Sequence, residues 1–301
     1  MTAMPAKNGR TIHQFSDLPG RLRMYWRNLM LLALAVVICA WLELPTASGQ
    51  SATTTVEITY LGNEGVMLTA GDQRVLIDAI HGSFGEYIAP PSDQLSAIEH
   101  GKPPYDGRDL VLVTHIHADH FSPQSVGLHL QHNKSAALVS SAQIVDALRK
   151  EFAAFRQIQS QIHEMTPAWK QRQAVTVNEV RIELLGMKHG GEEFKSIQNL
   201  GYVVELAGKK LLHIGDADTT EENFAPFKLE QEGIDVALLP FWYLLAPEGQ
   251  ALVKAHIKPK HIVAIHIPIA SPAELEKARK DITAAFPSAT LFVTLMQKAQ
   301  F

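Results

Sequence analysis

Short apolar runs separated by glycine and polar residues mark the chain after residue 53. Three such runs cover residues 56–61, 66–70 and 74–78. Runs of this length with glycine, asparagine and aspartate between them are typical of β-strands joined by turns. We therefore expect the folded part to begin with a three-strand meander.

Longer segments with a helical spacing of apolar residues alternate with further apolar runs. The helical pattern covers residues 92–99, 142–161 and 272–285, and Ser271 stands where the N-cap of the last helix is expected. The apolar residues in the second half of the 142–161 segment predict a face packed on the core. Strand groups that alternate with helices predict a mixed α and β fold.

Four of the strand-like runs lead to side chains that bind metals. The runs cover residues 111–113, 180–185, 210–214 and 262–265, and the side chains that follow them include His115, His189, Asp216 and His266. At two of these ends a glycine, Gly186 or Gly215, comes first and frees the backbone. Because strand ends gathered at one edge of a sheet converge, we expect these side chains to share one site.

The densest group of such side chains follows the run 111–113. It consists of His115, His117, Asp119 and His120. A helix would place residues two apart on different faces, and a half-buried strand would leave three of the four without a neutralising partner. Ser122 and Pro123 fit the N-cap and first position of a helix, so the group lies in a loop between a strand and a helix. Metal binding gives all four side chains a partner.

Composition favours one large globular domain or two small ones. The chain has 301 residues, of which 46% are hydrophobic and 19% charged, and its net charge is −4. This apolar content is ample for a core. Without a long basic run, the charge argues against nucleic-acid binding, so we expect a small-molecule substrate.

An apolar segment near the start of the chain predicts export. Residues 29–42 are uninterruptedly apolar, follow three arginines and precede small and polar residues. This is the pattern of a secretory signal peptide, and the run is shorter than the roughly 20 residues that span a bilayer. We expect a leader over residues 1–52, a domain over 53–301, and a periplasmic or extracellular location. An uncleaved membrane anchor is the alternative, and Met24 would begin a leader of more ordinary length.

The only cysteine, Cys39, lies inside this apolar run. Ile38 before it is bulkier than a lipoprotein signal requires, which argues against lipid attachment. Without the leader the domain has no thiol, so it forms no disulfide and offers no thiolate ligand. Any metal in the domain must be held by nitrogen and oxygen.

Taken in order along the chain, these residues resemble the metallo-β-lactamase superfamily, in particular its small metal-dependent hydrolases similar to the ascorbate-lactone hydrolases. The resemblance covers about residue 56 to the C-terminus. It rests on the group at 115–120, on His189, on Gly215 with Asp216, and on His266. It implies an α+β fold, a four-layer αββα sandwich, with a two-metal site at one edge.

The resemblance also implies a role for each ligand. It assigns one metal ion to His115, His117 and His189, a second to Asp119, His120 and His266, and makes Asp216 the bridge between them. Asp78, at the end of the third strand, matches a family aspartate that orients the ligand loop by hydrogen bonds. A plain turn residue is the alternative interpretation of Asp78.

Imidazole and carboxylate ligands favour a zinc-dependent hydrolase with two Zn²⁺ ions, and iron or manganese are the alternative metals. Two such ions activate water at neutral pH for attack on an ester, lactone, amide or phosphoester. Asp119 is our catalytic candidate, because an oxygen ligand can also hold or relay the proton of that water. We expect Asp119→Ala to keep the fold and to lose hydrolysis.

Two other function classes remain open, a non-heme iron oxidoreductase on the same scaffold and a non-catalytic binding module. Di-iron members of the family typically carry glutamate where His117 stands, which disfavours that branch. The presence of all seven candidate ligands disfavours a binding module. Antibiotic hydrolysis is disfavoured as well, because true β-lactamases of this fold have different surroundings at the later ligands.

Aromatic residues after two strand ends are candidates for the mouth of a substrate pocket. They are His81, Phe84 and Tyr87 after the third strand, and Phe241, Trp242 and Tyr243 after the run 234–240. Packing within a lid or the core is the alternative for both groups.

Overall fold

The computed structural model describes residues 55–301, and the predicted meander forms its first three strands. They are β1 (Glu57–Gly62), β2 (Gly65–Ala70) and β3 (Gln73–Ile77), and each pairs antiparallel with the next. Along β2, Val66 and Leu68 belong to one apolar core, and Met67 between them belongs to another. This alternation follows from the two-residue period of a strand.

The first sheet joins this meander to parallel strands. β3 is followed by β4 (Asp109–Leu112), β5 (Ala137–Ser140) and β6 (Ile162–Glu164), each parallel to its neighbour. β14 (Lys298–Gln300) pairs antiparallel with β1, which gives the order β14-β1-β2-β3-β4-β5-β6. The connections contain α1 (Ser92–Glu99), α2 (Pro123–His132) and α3 (Ala142–Glu151).

The second sheet has the order β13-β12-β11-β10-β9-β8-β7. Its antiparallel part is β7 (Arg172–Val177), β8 (Val180–Lys188), β9 (Gln198–Leu206) and β10 (Lys209–His213). Its parallel part continues from β10 through β11 (Val236–Pro240), β12 (His261–Ile265) and β13 (Thr290–Leu291). The connections contain α4 (Glu221–Phe224), α5 (Trp242–Leu245), α6 (Pro247–Leu252) and α7 (Pro272–Ala285).

Three apolar cores separate the layers of the described domain. The core between the two sheets includes Leu112 of β4 and Leu211 of β10. On the outer face of the first sheet, Val111 of β4 belongs to a core shared with α1, α2 and α3. On the outer face of the second sheet, Leu212 of β10 belongs to a core shared with α4 to α7. The predicted four-layer αββα sandwich is confirmed.

The starts of two helices follow their sequence signals. The Ser122 hydroxyl accepts a hydrogen bond from the Ser125 amide at 3.2 Å, and Pro123 is the first residue of α2. Ser271 and Glu274 form a reciprocal capping box at the start of α7. Both caps satisfy amide groups that a helix leaves free at its N-terminus.

The predicted helix over residues 142–161 is wrong beyond Glu151. α3 ends there, and two short 3₁₀ turns, Phe155–Gln157 and Gln159–Gln161, follow. Phe152 leaves the helix and packs on Gly127 of α2, where an added Cβ would lie 2.4 Å from the phenyl ring. The apolar face itself is buried as expected, since Phe152 is 4% exposed and Ile158 fully buried. A contact distant in sequence therefore ends this helix.

Residues 55–301 contain no helix that is both long and apolar enough to cross a membrane. The apolar run at 29–42, Met24 and Cys39 lie outside the described residues, and so do the predicted leader and its cleavage.

Candidate metal centre

The predicted ligands meet at one edge of the sandwich. In the second sheet β8, β10 and β12 run in the same direction, because β9 is antiparallel to both of its neighbours and β10 to β12 are parallel. His189, Asp216 and His266 therefore emerge at the same edge. The loop 114–120 reaches this edge from β4 of the first sheet, and the amide of Leu200 in β9 binds the Thr114 carbonyl at 3.0 Å.

The first cluster consists of His115, His117, His189 and one oxygen of Asp216. Nε2 of His115 lies 3.1 Å from Nδ1 of His117 and 3.9 Å from Oδ2 of Asp216. Nε2 of His189 lies 3.6 Å from the same oxygen. His115 is fully buried and His189 nearly so, whereas His117 is half-buried at the mouth of the site.

The second cluster consists of Asp119, His120, His266 and the other oxygen of Asp216. Oδ2 of Asp119 lies 3.6 Å from Nε2 of His120 and 3.6 Å from Nε2 of His266. Oδ1 of Asp216 lies 3.7 Å and 3.4 Å from the same two nitrogens. Asp216 therefore presents one oxygen to each cluster, as a bridging carboxylate would.

The spacing of these atoms fits two tetrahedral metal ions. Ligand atoms at 2.0–2.1 Å from a tetrahedral Zn²⁺ lie about 3.4 Å from one another. Among the described residues, the buried atoms without a hydrogen-bond partner include Nε2 of His120, His189 and His266, and Oδ1 of Asp216. Leaving such atoms unsatisfied costs about 1–3 kcal/mol each, and a cation in each cluster would satisfy them. The residues present therefore fit the metals.

The other nitrogen of three histidines has a partner that fixes the tautomer. Nδ1 of His120 donates to Oδ2 of Asp78 at 2.9 Å, and Nδ1 of His189 donates to the Gly190 carbonyl at 2.6 Å. Nδ1 of His115 lies 3.0 Å from Oγ1 of Thr114. With the proton on Nδ1, the lone pair of Nε2 faces the cluster, which is how outer hydrogen bonds orient metal-binding histidines.

Asp78 is the anchor of the ligand loop. Its Oδ1 accepts from the Thr114 amide at 2.7 Å, and its Oδ2 accepts from the Thr114 hydroxyl at 2.5 Å in addition to His120. The carboxylate is fully buried, so it is no ordinary turn residue. Asp78 and His266 also adopt left-handed backbone conformations, with φ of 46° and 57°. Backbone strain of this kind collects at functional sites.

Two glycines precede ligands for different reasons. Gly215 has a φ of +54°, and an added Cβ would lie 2.6 Å from Oδ1 of Asn199 and 2.7 Å from Cβ of Thr114. Only glycine fits this turn, which carries Asp216 into the centre. Gly186 lies inside β8, where an added Cβ would lie 2.2 Å from the Ala168 carbonyl oxygen. Close approach of another backbone segment, rather than a free backbone, explains Gly186.

Charged neighbours outweigh burial at His120 and Asp216, but not at His115. Burial alone would lower the pKa of His120, but the carboxylates of Asp216, Asp78 and Glu64 raise the pKa to about 10. Burial would raise the pKa of Asp216, but His120 and His266 outweigh it and hold that pKa well below its usual range. For His115, burial dominates and lowers the pKa well below its usual value. Such a dense group of buried carboxylates needs cations nearby.

The sequence interpretation missed two residues in the turn between β1 and β2. Asn63 donates through Nδ2 to the backbone carbonyl and to Oδ2 of Asp119, both at 3.1 Å. Glu64 is fully buried, its Oε2 lies 3.8 Å from Nδ1 of His120, and neither carboxylate oxygen has a partner among the described residues. Burial raises the pKa of Glu64 well above its usual value. In the sequence both residues look like ordinary turn residues.

His213 at the end of β10 is a third missed residue. Its Nδ1 accepts from the Gly215 amide at 3.2 Å, so the neutral ring carries its proton on Nε2, which donates to the Glu64 carbonyl at 3.2 Å. His213 thereby connects the turn between β1 and β2 to the turn that carries Asp216.

Aromatic side chains surround the mouth of the centre. Tyr87 and Trp242 pack on the His266 ring with centroids 4.4 Å and 5.0 Å away, and Phe84 stacks on Tyr87. Phe194, which the sequence interpretation missed, packs on His117 and His189 with centroids 4.8 Å and 5.0 Å away.

The remaining aromatic candidates behave differently. His81 is buried, with Nδ1 2.9 Å from the Gly82 carbonyl, and Phe241 packs on Trp242 and the outer core. Tyr243 is buried as well and donates its hydroxyl to the Ala217 carbonyl at 2.6 Å. These positions fit the packing alternative.

A cavity of about 390 Å³ opens beside His189 of the first cluster and Asp216, which both clusters share. Its lining consists of His189, Gly190, Gly191, Phe194, residues 216–219 and Trp242. Cavities of this size hold small molecules. A bound molecule would therefore touch candidate ligands and aromatic side chains at once.

The chain is similar to several known proteins. The family described as the beta-lactamase superfamily domain matches residues 73–267. A UPF0173 metal-dependent hydrolase of Thermus thermophilus is 29% identical over 222 residues, which cover 70% of this chain and 83% of that protein. Its counterpart in Pyrococcus furiosus is 27% identical over 234 residues, which cover 74% of this chain and 91% of that protein. The structure of Igni18, a metallo hydrolase of Ignicoccus hospitalis, matches with a TM-score of 0.56 and 20% identity, over 82% of this chain and 99% of that one.

Proposed function

The chain belongs to the metallo-β-lactamase superfamily and is a metal-dependent hydrolase, and we propose that it uses two zinc ions to cleave an ester, lactone, amide or phosphoester bond. The observation that carries this proposal is the pair of clusters that share Asp216, with unpartnered nitrogens and oxygens at the spacing of tetrahedral ligands. Zinc is favoured because the ligands are imidazoles and carboxylates.

The centre would hold the metals through chain atoms already aimed at each cluster. One ion would take His115, His117 and His189, the other would take Asp119, His120 and His266, and Asp216 would bridge them. When bound, the metals supply an acidic water and polarise the substrate oxygen. Asp78 and Thr114 keep His120 and His115 oriented throughout.

Asp119 is the residue to which we assign proton transfer. Its Oδ2 is held by Asn63 and faces His120 and His266, so Oδ2 is the ligand oxygen. Its Oδ1 forms no hydrogen bond with the described residues and is free to take the proton of the attacking water. The same atom would return that proton to the leaving group.

Metal content and hydrolysis, measured together on the purified full-length chain, test this proposal. We expect about two zinc ions per chain by elemental mass spectrometry, as two-metal sites require. We also expect chelator-sensitive hydrolysis within a panel of chromogenic esters, lactones, phosphodiesters and nitrocefin. One iron per chain with oxygen uptake and no hydrolysis would favour the oxidoreductase instead, and no metal after reconstitution would favour a binding module.

Asp119→Ala removes both the proposed ligand oxygen and the proposed proton acceptor, so its hydrolysis is compared with that of the wild type at full metal loading. Reconstituted to two zinc ions, this variant is expected to keep its circular dichroism spectrum and to lose about 100-fold or more in kcat. Full metal loading with retained turnover would remove Asp119 from the mechanism.

We also propose that residues 1–52 direct export to the periplasm or the medium. The apolar run 29–42 behind three arginines supports this proposal. Cell fractionation with mass spectrometry of the N-terminus tests it, and a processed chain in the exported fraction is the expected result. An intact N-terminus in the membrane fraction would indicate an anchor, and an intact cytosolic chain would exclude export.

A further inference from the structure

We propose that the cavity beside the clusters takes an uncharged, apolar part of the substrate, so that this hydrolase prefers substrates without a remote anionic group. This inference rests on the proposed hydrolase function, because it concerns the same centre. The observations that carry it are the aromatic walls of the cavity and the absence of cationic side chains from its described lining.

The apolar walls come from opposite sides of the opening. Phe194 leans on His117 and His189 of the first cluster, and it is 36% exposed although it is a large apolar side chain. Trp242 leans on His266 of the second cluster. Both rings line the same cavity, and exposed aromatic surface around a polar centre is typical of a ligand site.

The floor between the walls leaves room for a substrate group. Gly190 and Gly191 follow His189 directly and add no side chains to the lining. Gly191 has a φ of +86°, and an added Cβ there would lie 3.0 Å from the ring of Phe194. The two glycines therefore keep open the space beside the ligand histidine and let Phe194 approach it.

The charge of the lining disfavours a remote anionic group on the substrate. Asp218 belongs to the lining, and none of the described lining residues is lysine or arginine. The Lys188 ammonium lies 3.6 Å from the Trp169 ring centre, and Lys195, which pairs with Glu192 at the surface, does not belong to the lining. Sites for phosphate or carboxylate groups use arginine or lysine donors, which this cavity lacks.

Two probes test the inference by binding, and their NMR spectra show whether either amide is cleaved during the titration. Benzamide is neutral, and 4-carbamoylbenzoate adds a remote carboxylate to the same ring. In ligand-detected NMR titrations of the zinc-loaded full-length chain, we expect benzamide to bind about tenfold more tightly or better, because the added charge faces Asp218 without a partner. Equal or tighter binding of the carboxylate, or no binding of either probe, would overturn the inference.

Matched variants show whether benzamide binds in this cavity. Phe194→Ala is expected to weaken benzamide binding by about tenfold. Phe84→Ala is the control, because Phe84 is also an exposed phenylalanine near the centre, 45% exposed, but stacks on Tyr87 outside the cavity lining. Asp218→Asn is expected to bring the Kd of 4-carbamoylbenzoate closer to that of benzamide. Equal effects of Phe194→Ala and Phe84→Ala would place the ligand elsewhere and overturn the inference.

Hydrolysis provides the second arm and separates the two proposals. We expect phenyl acetate and methyl 4-acetoxybenzoate, both neutral, to have higher kcat/KM than 4-acetoxybenzoate after correction for their alkaline hydrolysis rates. Equal values would overturn the neutral-substrate inference while leaving a hydrolase. If no compound in the wider ester, lactone, amide and phosphodiester panel is cleaved, the proposed hydrolase function fails. The binding of the two probes still shows whether the cavity prefers neutral ligands.

Discussion

Replacing Asp78 by asparagine keeps the size of the side chain and should remove the hydrogen bond that it accepts from His120. The carboxylate accepts from the Thr114 amide, the Thr114 hydroxyl and Nδ1 of His120, at 2.7, 2.5 and 2.9 Å. In Asp78→Asn, the side-chain oxygen can still accept the hydrogen bond from the backbone N–H of Thr114. The Thr114 hydroxyl can rotate and accept a hydrogen bond from the new NH₂ group. The NH₂ group would face the N–H of His120, so two donors would oppose each other.

The expected magnitude follows from the loss of that single charged hydrogen bond. An outer partner of a metal-binding histidine contributes about 10–100-fold in metal affinity, so the Kd for zinc should rise by that factor. In the metal-free protein the pKa of His120 is raised to about 10, so its imidazolium loses a buried ion-pair partner. Breaking a buried pair in this way lowers the free energy of unfolding by about 3–5 kcal/mol.

Zinc competition with a chromogenic chelator measures the first quantity, and urea unfolding of the metal-free chain measures the second. Asp109→Asn is the matched control, because Asp109 is also fully buried and bonded to Arg74 at 2.6 Å, but stands at the opposite end of β4. We expect this control to lose stability and to keep the Kd for zinc. A wild-type Kd in Asp78→Asn would refute the orienting role of Asp78.

Four further changes have definite expected outcomes. Chelation of zinc should lower the midpoint of thermal unfolding, and free zinc at 100 times its Kd should restore about 2.7 kcal/mol for each occupied cluster, because zinc binds the unpartnered atoms of the folded chain. Gly215→Ala should lower the free energy of urea unfolding more than Gly208→Ala, because both glycines have positive φ but an added Cβ meets neighbouring atoms only at Gly215; equal losses would contradict the contact argument. Glu64→Gln should change the stability of the metal-free chain by no more than about 1 kcal/mol, because burial already favours the protonated carboxyl, and should weaken zinc binding in the competition assay by about tenfold; unchanged zinc affinity would make Glu64 a packing residue only. His129 lies away from the centre, and burial lowers its pKa below the usual 6.5, so the unfolded chain binds more protons and stability falls as the pH drops below about 6.5; His129→Gln should flatten this fall in urea unfolding between pH 7 and 5, and an unchanged slope would exclude His129 as its source.

The ligands could be predicted because each follows a strand that the sequence marks clearly. The runs before His115, His189, Asp216 and His266 become β4, β8, β10 and β12, and the topology brings their ends to one edge. Each strand is visible in the sequence as a short apolar run. General rules of strand pairing then limit the directions that neighbouring strands can take. Local signals were therefore sufficient to find the candidate ligands, whereas the four layers were implied by the resemblance to the metallo-β-lactamase superfamily.

The parts that sequence patterns missed depend on contacts between distant segments. α3 stops at Glu151 because Phe152 packs on Gly127, 25 positions earlier in the chain, and helix propensity contains no trace of that contact. Phe194 follows no strand end and lies in a short 3₁₀ turn, so only the folded chain shows that it packs on His117 and His189.

The turn at Asn63 and Glu64 is polar in sequence but buried in the fold. Polar residues between two strands normally face water, yet both side chains are fully buried here. They are buried because the turn between β1 and β2 lies at the edge where the candidate ligands meet. There Asn63 contacts Asp119, and Glu64 contacts His213. Burial raises the pKa of Glu64 well above its usual value and favours the neutral carboxyl, which can lie in the interior without an ion-pair partner. The convergence of strand ends at this edge therefore also buries the turn, and its polar residues contact the candidate metal centre rather than water.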